Sequence, residues 1–241
     1  GAQLMRVPFE NISKLYLKKT RGATFVPPLE EHLDGIENHH FGGTCYANNP
    51  YFFELLRHLG YEVTMCGADM SDPDVHIVSM VELDGRQYLV DVGYAAPFFE
   101  PLPRDLVGLH EIHFGACRYV LEPRDGQGRS RLRMFRNGEL IHCYLAKPEP
   151  REIGHFAAVI RDSYRDTATF MNAVVMERFF PGRSVRIHNL ILTESTPDGA
   201  TVTRLADREE LIRTVEHHCR IPADIVRDAI DGISLEGDIY T

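Results

Sequence analysis

Cys45, His76 and Asp91 are the residues whose types could do covalent chemistry together. A cysteine becomes a nucleophile when it loses its proton. A histidine can take that proton near neutral pH, and a carboxylate can orient the ring that does so. Cys45 lies in Phe41-Gly42-Gly43-Thr44-Cys45-Tyr46-Ala47-Asn48-Asn49. Gly42 and Gly43 carry no Cβ, so the chain can turn sharply there and approach a ligand closely. Thr44 is a fair N-cap, the apolar residues Phe52, Leu55, Leu56 and Leu59 follow at helical spacing, and Gly60 closes the run. Cys45 is therefore expected in the first turn of a helix, where unpaired N–H groups and the positive dipole end favour a thiolate. Pro50 lies late for a first-turn proline, which leaves open a helix that begins near Asn49 or kinks. The plain alternative is a free cysteine that is only a small buried hydrophobe.

His76 and Asp91 lie on two runs, His76 to Leu83 and Gln87 to Val92, that flank Asp84-Gly85. Asp-Gly between apolar runs predicts a hairpin with a two-residue turn. That register sets Val78 opposite Asp91 and His76 opposite Gly93. His76, Val78, Met80, Gln87, Leu89 and Asp91 then share one face. His76 and Asp91 become diagonal neighbours about 7–8 Å apart at Cα, within reach of an imidazole–carboxylate contact. A slip of one residue would put them on opposite faces. The alternative leaves Asp91 in solvent at the strand end and His76 at a loop edge.

These residues need elements to hold them. Residues 7–11, Val-Pro-Phe-Glu-Asn, read as extended, with Glu10 as a surface acid. Residues 18–40 read as a polar loop with a short helix from Leu29 to Leu33, so His32, His39 and His40 read as solvated. Strands are expected at Tyr61 to Gly67, Arg118 to Glu122 and Arg129 to Phe135, with a second hairpin turning at Asn137-Gly138. Arg129, Arg131 and Arg133 alternate onto one face, read as solvated, with phosphate binding a minority alternative. A helix is expected from Glu149 through Tyr164, then strands at Phe170 to Met176 and Val185 to Thr193 and a turn at Pro197-Asp198-Gly199. Asp207 with Glu210 reads as a capping box, and Pro222 starts a last short helix.

Bulk properties narrow the classes. The chain has 241 residues, is 44% hydrophobic and carries a formal charge of -9, which argues against a nucleic-acid surface as its main role. Cys45, Cys66, Cys117, Cys143 and Cys219 form no CxxC pair, so neither a zinc ribbon nor a disulfide scaffold is indicated, no metal is expected, and a reducing cytoplasm fits best. No apolar run is long enough to span a bilayer and no signal-peptide pattern opens the chain. The first motif arrives by Val7, so the beginning looks abbreviated.

Val7-Pro8-Phe9-Glu10-Asn11, Gly42-Gly43-Thr44-Cys45 with Asn49, His76, and Val90-Asp91-Val92-Gly93 together resemble the arylamine N-acetyltransferase family. The likeness is strong over residues 7–100 and looser beyond. It implies an α+β fold: an N-terminal helical bundle (1–60) carrying the nucleophile, a central antiparallel β-barrel (61–148) carrying His76 and Asp91, and a linker helix with an α/β lid (149–241), in a cysteine-protease-like Cys-His-Asp arrangement. It also implies ping-pong transfer: Cys45 takes an acetyl group from acetyl-CoA and passes it to an aromatic amine or hydrazine. Gly42, Gly43, Asn49, Glu10 and Gly93 would support the site, and the CoA-binding residues stay unassigned. No nucleic-acid or membrane partner is implied, and the oligomeric state is left open.

This chain departs from that family's pattern. Phe41 replaces the arginine before the two glycines, Ala47 replaces Glu or Gln after the cysteine, and Ala95 replaces a second glycine near Asp91. The Cys45-to-His76 interval looks short, and the family's first helix or so is not matched. Glu10 thereby loses the arginine it would pair with, so another basic residue is expected to compensate, or else Glu10 is protonated or solvated. Three other functions remain in play: an acyltransferase or amide synthase using a larger acyl thioester, a transglutaminase-like or protease-like cysteine hydrolase, and a degenerate relative that only binds ligand.

Overall fold

The structure is a computed structural model that describes residues 1–236. Four helices open the chain: α1 (Ala2–Arg6), α2 (Ile12–Arg21), α3 (Leu29–His39) and α4 (Cys45–His58), with a short strand β1 (Phe9–Glu10) between the first two. Then come β2 (Glu62–Asp69), β3 (His76–Leu83), β4 (Arg86–Val90), β5 (Leu102–Pro103), β6 (His110–Phe114), β7 (Cys117–Leu121), β8 (Ser130–Arg136) and β9 (Glu139–Pro150). The last part holds α5 (Ala157–Asp162), β10 (Val175–Phe180), β11 (Arg183–His188), β12 (Ile191–Thr196), β13 (Gly199–Arg204), α6 (Arg208–Cys219) and α7 (Ala223–Ile230).

The strands form two antiparallel sheets. One has eight strands in the order β5-β4-β3-β2-β9-β8-β7-β6; the other has five, in the order β1-β10-β11-β12-β13. The larger sheet curls as an open half-barrel around a core that includes Val78, Leu89, Leu102, Leu132, Tyr144 and Phe179. β8 shows why it curls inward on one face: Ser130, Leu132 and Met134 are buried while Arg133 between them is exposed. β3 is buried at six successive positions because α4 covers its outer face. A second core joins α2 to α6 and α7 through Ile12, Leu15, Leu211, Val215 and Val226. Two contacts bind the ends of the chain together: β1 pairs with β10, Phe9 opposite Glu177, and α2 packs on α7. No helix among the described residues is long and apolar enough to cross a membrane.

Several expected elements are shifted or were not foreseen. Residues 12–21 form α2, which takes in the start of the stretch read as loop from residue 18, and α3 runs on past Leu33 to His39. The short apolar stripe of α2 (Ile12, Leu15, Leu17) is eked out by buried Ser13 and Lys14, which hides it from a hydrophobicity reading. The segment after 148 stays in β9 as far as Pro150, and the helical part begins as a 3₁₀ turn at Ile153–Phe156 before α5. Residues 169–171 form another 3₁₀ turn, so the strand expected from Phe170 begins at Val175. Both hairpins fall where expected: Asp84 and Gly85 take φ of 52° and 71°, and Asn137 and Gly138 take 52° and 86°, the left-handed pair that a two-residue turn needs. Asp207 accepts from the Glu210 N–H at 2.8 Å, as a capping residue should.

Candidate active site

The turn before Cys45 is held from beneath by β1. Gly43 bridges to Phe9, and a Cβ on Gly42 would lie 1.9 Å from the Pro8 carbonyl oxygen, so only glycine fits there. Asn48 ties the turn further, its Nδ2 donating to the Gly43 and Pro8 carbonyls at 2.8 and 3.2 Å. The helix then starts at Cys45 with Thr44 as N-cap, and Pro50 lies inside it rather than marking its start. Cys45 is 8% exposed.

The Asp84-Gly85 hairpin has the register deduced from its turn, Ser79 opposite Val90 and Leu83 opposite Arg86. His76 and Asp91 consequently meet, His76 Nε2 lying 2.7 Å from Asp91 Oδ2, both almost fully buried. The other carboxylate oxygen accepts from Asn49 Nδ2 at 2.9 Å and from the Gly93 N–H at 3.0 Å. Asn49 is itself fixed, donating to the Ile77 carbonyl at 2.6 Å and accepting from the Val92 N–H at 2.8 Å. Cys45 and Asn49 are four apart and so share one face of α4. Gly93 packs against that face: a Cβ there would lie 2.6 Å from Cys45 Cα.

Burial alone would depress the basicity of His76. The Asp91 charge and hydrogen bond, together with the Cys45 sulfur on the same ring, outweigh it and push the imidazolium up to about 10. Nε2 faces Asp91, so the remaining ring nitrogen is the one left for sulfur. Tyr144 and Tyr94 wall the ring, with centroids 5.2 and 5.8 Å from it, and the Tyr94 hydroxyl lies 2.8 Å from His142 Nδ1.

Glu10 is not a surface acid. It is fully buried, and its oxygens accept from the Gly42 N–H at 2.9 Å and the Ser13 N–H at 2.8 Å. Burial raises its pKa against those hydrogen bonds. Among the described residues no cation pairs with it, and its full burial leaves it unsolvated, so neither the compensating base nor solvation is found. Phe41, in place of the expected arginine, packs into the core beside Tyr16 and His39. Two of the three loop histidines remain at least partly open, but His32 is 6% exposed and stacks on Tyr51 at 4.4 Å. The arginines expected on one face pair with surface acids, Arg129 just before β8 with Asp125, and Arg131 and Arg133 of β8 with Glu122.

A family model described as N-acetyltransferase matches residues 1–226. The chain belongs to this N-acetyltransferase family. Among its relatives, the proansamycin X synthase of Amycolatopsis mediterranei is 30% identical over 180 residues, 68% of this chain and 66% of that protein. Human arylamine N-acetyltransferase 1 is 29% identical over 132 residues, 52% of this chain and 44% of that one. The matched stretches thus span about two thirds or less of these relatives' lengths. In fold, the chain resembles a Mycobacterium marinum arylamine N-acetyltransferase in complex with CoA, with a TM-score of 0.80 at 20% identity, covering 96% of this chain and 90% of that one. The Salmonella typhimurium arylamine N-acetyltransferase gives 0.78 at 18% identity, with 96% and 89% covered.

Within this N-acetyltransferase fold, Ala95 stands in the left-handed region at φ 58°, the conformation that glycine adopts most easily. The sequence reading assigned no role to Asn48, Tyr94, His142, Tyr144 or Lys14. Their one sequence signal is polarity inside otherwise apolar stretches, and it carries no address.

Proposed function

We propose that the chain is an acyltransferase that moves an acetyl group from acetyl-CoA through a Cys45 thioester to an aromatic amine or hydrazine. The observation that carries this reading is the buried His76–Asp91 pair, 2.7 Å apart, with the Cys45 sulfur on the same ring. A protonated His76 stabilises a Cys45 thiolate, which attacks the thioester carbonyl. The CoA thiolate leaves and takes the His76 proton. The acceptor amine then attacks the acyl-enzyme, His76 receives its proton, and the Cys45 thiolate departs. Asp91 keeps the ring oriented and supports its charged form, while Asn49 and Gly93 hold Asp91. The N–H groups that open α4, at Cys45 and Tyr46, have no partners of their own within the helix and suit the developing oxyanion. The five cysteines, all unbridged, suit a reducing compartment such as the cytoplasm.

A second reading is an amide synthase acting on a larger acyl thioester. It is favoured by the 30% identity to a proansamycin X synthase and by the uncharged Phe41 and Ala47. One experiment separates the two. CoA release is followed from acetyl-CoA and from longer acyl thioesters, with and without an arylamine, alongside intact mass and a Cys45→Ser control. Amine-stimulated release from acetyl-CoA, with an acetyl adduct lost in the control, supports the first reading. Turnover confined to longer acyl donors supports the second, and peptide cleavage or an adduct surviving in the control refutes both.

A further inference from the structure

Behind the nucleophile turn, on the side of α4 away from His76, lies a cavity of about 90 Å³ between α2, α3 and the Gly42–Gly43 turn. One water needs only ~10–15 Å³ of such volume, so the space exceeds what a single water fills. Gly43 and Ala47 keep one wall low, and the rings of Tyr16, Phe41 and Tyr164 supply flat apolar walls. Cys45 does not line it. Ala47, two positions further on, presents roughly the opposite face of the helix.

Two polar side chains in the wall, Lys14 and His32, have hydrogen-bonding capacity that the protein's own bonds do not use up. Lys14 is 5% exposed. Its Nζ donates to the carbonyl and the hydroxyl of Ser163, both at 2.7 Å, and lies 4.3 Å from the centre of the Tyr164 ring. An ammonium has three protons, so one remains. Among the described residues no carboxylate pairs with Lys14, which leaves a buried cation without its counter-ion. Burial lowers its pKa to about 8, the Cys45 charge acting against that and Lys18 acting with it, so the ammonium still predominates at pH 7. His32 is the second group. It is 6% exposed, burial lowers it to about 4, and its ring nitrogens make no hydrogen bond to a described residue. It offers one donor and one acceptor in neutral form.

We propose that this cavity binds a small monocarboxylate with a ring-sized apolar body, Lys14 serving as its counter-ion and His32 as a hydrogen-bonding neighbour. The cavity holds one buried cation, and Glu31 and Asp34 at its rim disfavour multiply charged anions. Arg21 at the same rim is already paired with Glu31. The site adjoins the backbone of the nucleophile turn, so its occupant would brace Gly42 to Ala47 from behind without competing for the Cys45 sulfur.

The test is calorimetric titration of the full chain with benzoate as probe and benzamide as its neutral counterpart. Saturable one-to-one benzoate binding is expected, with benzamide at least about tenfold weaker, the least that loss of a charge-assisted hydrogen bond to a buried group produces. Lys14→Met should weaken benzoate by a similar factor, and alkylating Cys45 with iodoacetamide, which removes a charge that supports the Lys14 ammonium, should still leave saturable one-to-one benzoate binding. No binding at millimolar benzoate, or equal binding of benzamide, overturns the proposal on the unaltered protein, whatever the variant's stability. Loss of binding after Cys45 alkylation also overturns it, by placing the ligand on the sulfur side of the helix. No turnover is measured, so the outcome stands apart from the acyl-transfer reading.

Discussion

Replacing Gly93 with alanine tests how closely the hairpin end abuts the nucleophile. Gly93 does not have a positive φ, so alanine meets no backbone penalty and the cost is purely one of space. The added methyl would lie 2.6 Å from Cys45 Cα, 2.7 Å from Asn49 Nδ2 and 3.1 Å from Cys45 Cβ, where ordinary contact starts at 3.4 Å. Two of these three atoms belong to Cys45 at the helix start and the third to the amide that holds Asp91, so the displacement of about 0.8 Å must come from the site itself. Overpacking of this kind costs about 1–3 kcal/mol, or about 2–12 °C in Tm for a chain of this size. A misplacement near 1 Å costs roughly a hundredfold in rate. Both effects are read together: melting by scanning fluorimetry, and the rate of Cys45 alkylation with turnover by CoA release. Gly108→Ala is the control, because a Cβ there meets nothing within 4 Å. If Gly93→Ala melts within about 1 °C of the parent, the scatter of neutral surface changes, and keeps its rate, the close packing of hairpin on helix is refuted.

Three further perturbations address charge and strain. Because Asp91 holds His76 protonated to about 10, the ring's NMR signals should stay at the imidazolium position between about pH 6.5 and 9. Asp91→Asn should bring the His76 titration into that range and cut turnover by roughly 10²–10⁴, and an imidazolium unchanged in that variant would remove Asp91 from the relay. Glu10→Gln supplies one acceptor where two N–H groups need one each, so it should destabilise by about 1–3 kcal/mol. A buried acid with a raised pKa contributes most below its unfolded value and loses that contribution as pH rises, so urea titrations should find the parent's advantage over Glu10→Gln largest near pH 4 and shrinking above it. Ala95→Gly relieves a left-handed alanine and should stabilise by about 1 kcal/mol; a drop in Tm would show that its methyl packing outweighs the strain.

What could be read from the sequence was local. Asp84-Gly85 fixes a register, the register fixes faces, and the faces bring His76 to Asp91; every step uses neighbours in the chain. The turn before Cys45 and the cap at Asp207 are legible for the same reason. Partners supplied from far along the chain were not. Glu10 read as a surface acid because nothing near it predicts that Gly42 will donate to it across 32 residues. Asn11 donates to the Ala173 carbonyl across 162 residues, and Lys14 to Ser163 across 149. α2 was missed because two of its buried positions carry a serine and a lysine, whose burial is meaningful only once α7 and the Ser163 region are in place.

The pairing of β1 with β10 has a consequence for how the protein comes into being. Phe9 and Glu10 brace the turn before the nucleophile, yet they belong to a sheet whose next strand starts at Val175. A nascent chain halted on the ribosome before that strand emerges would have its sulfur synthesised but not yet seated. Such arrested chains should react with iodoacetamide like a free thiol, and the reactivity of the folded protein should appear abruptly once residues 175–188 are released. Cys45 would thus stay chemically quiet until β10 is made.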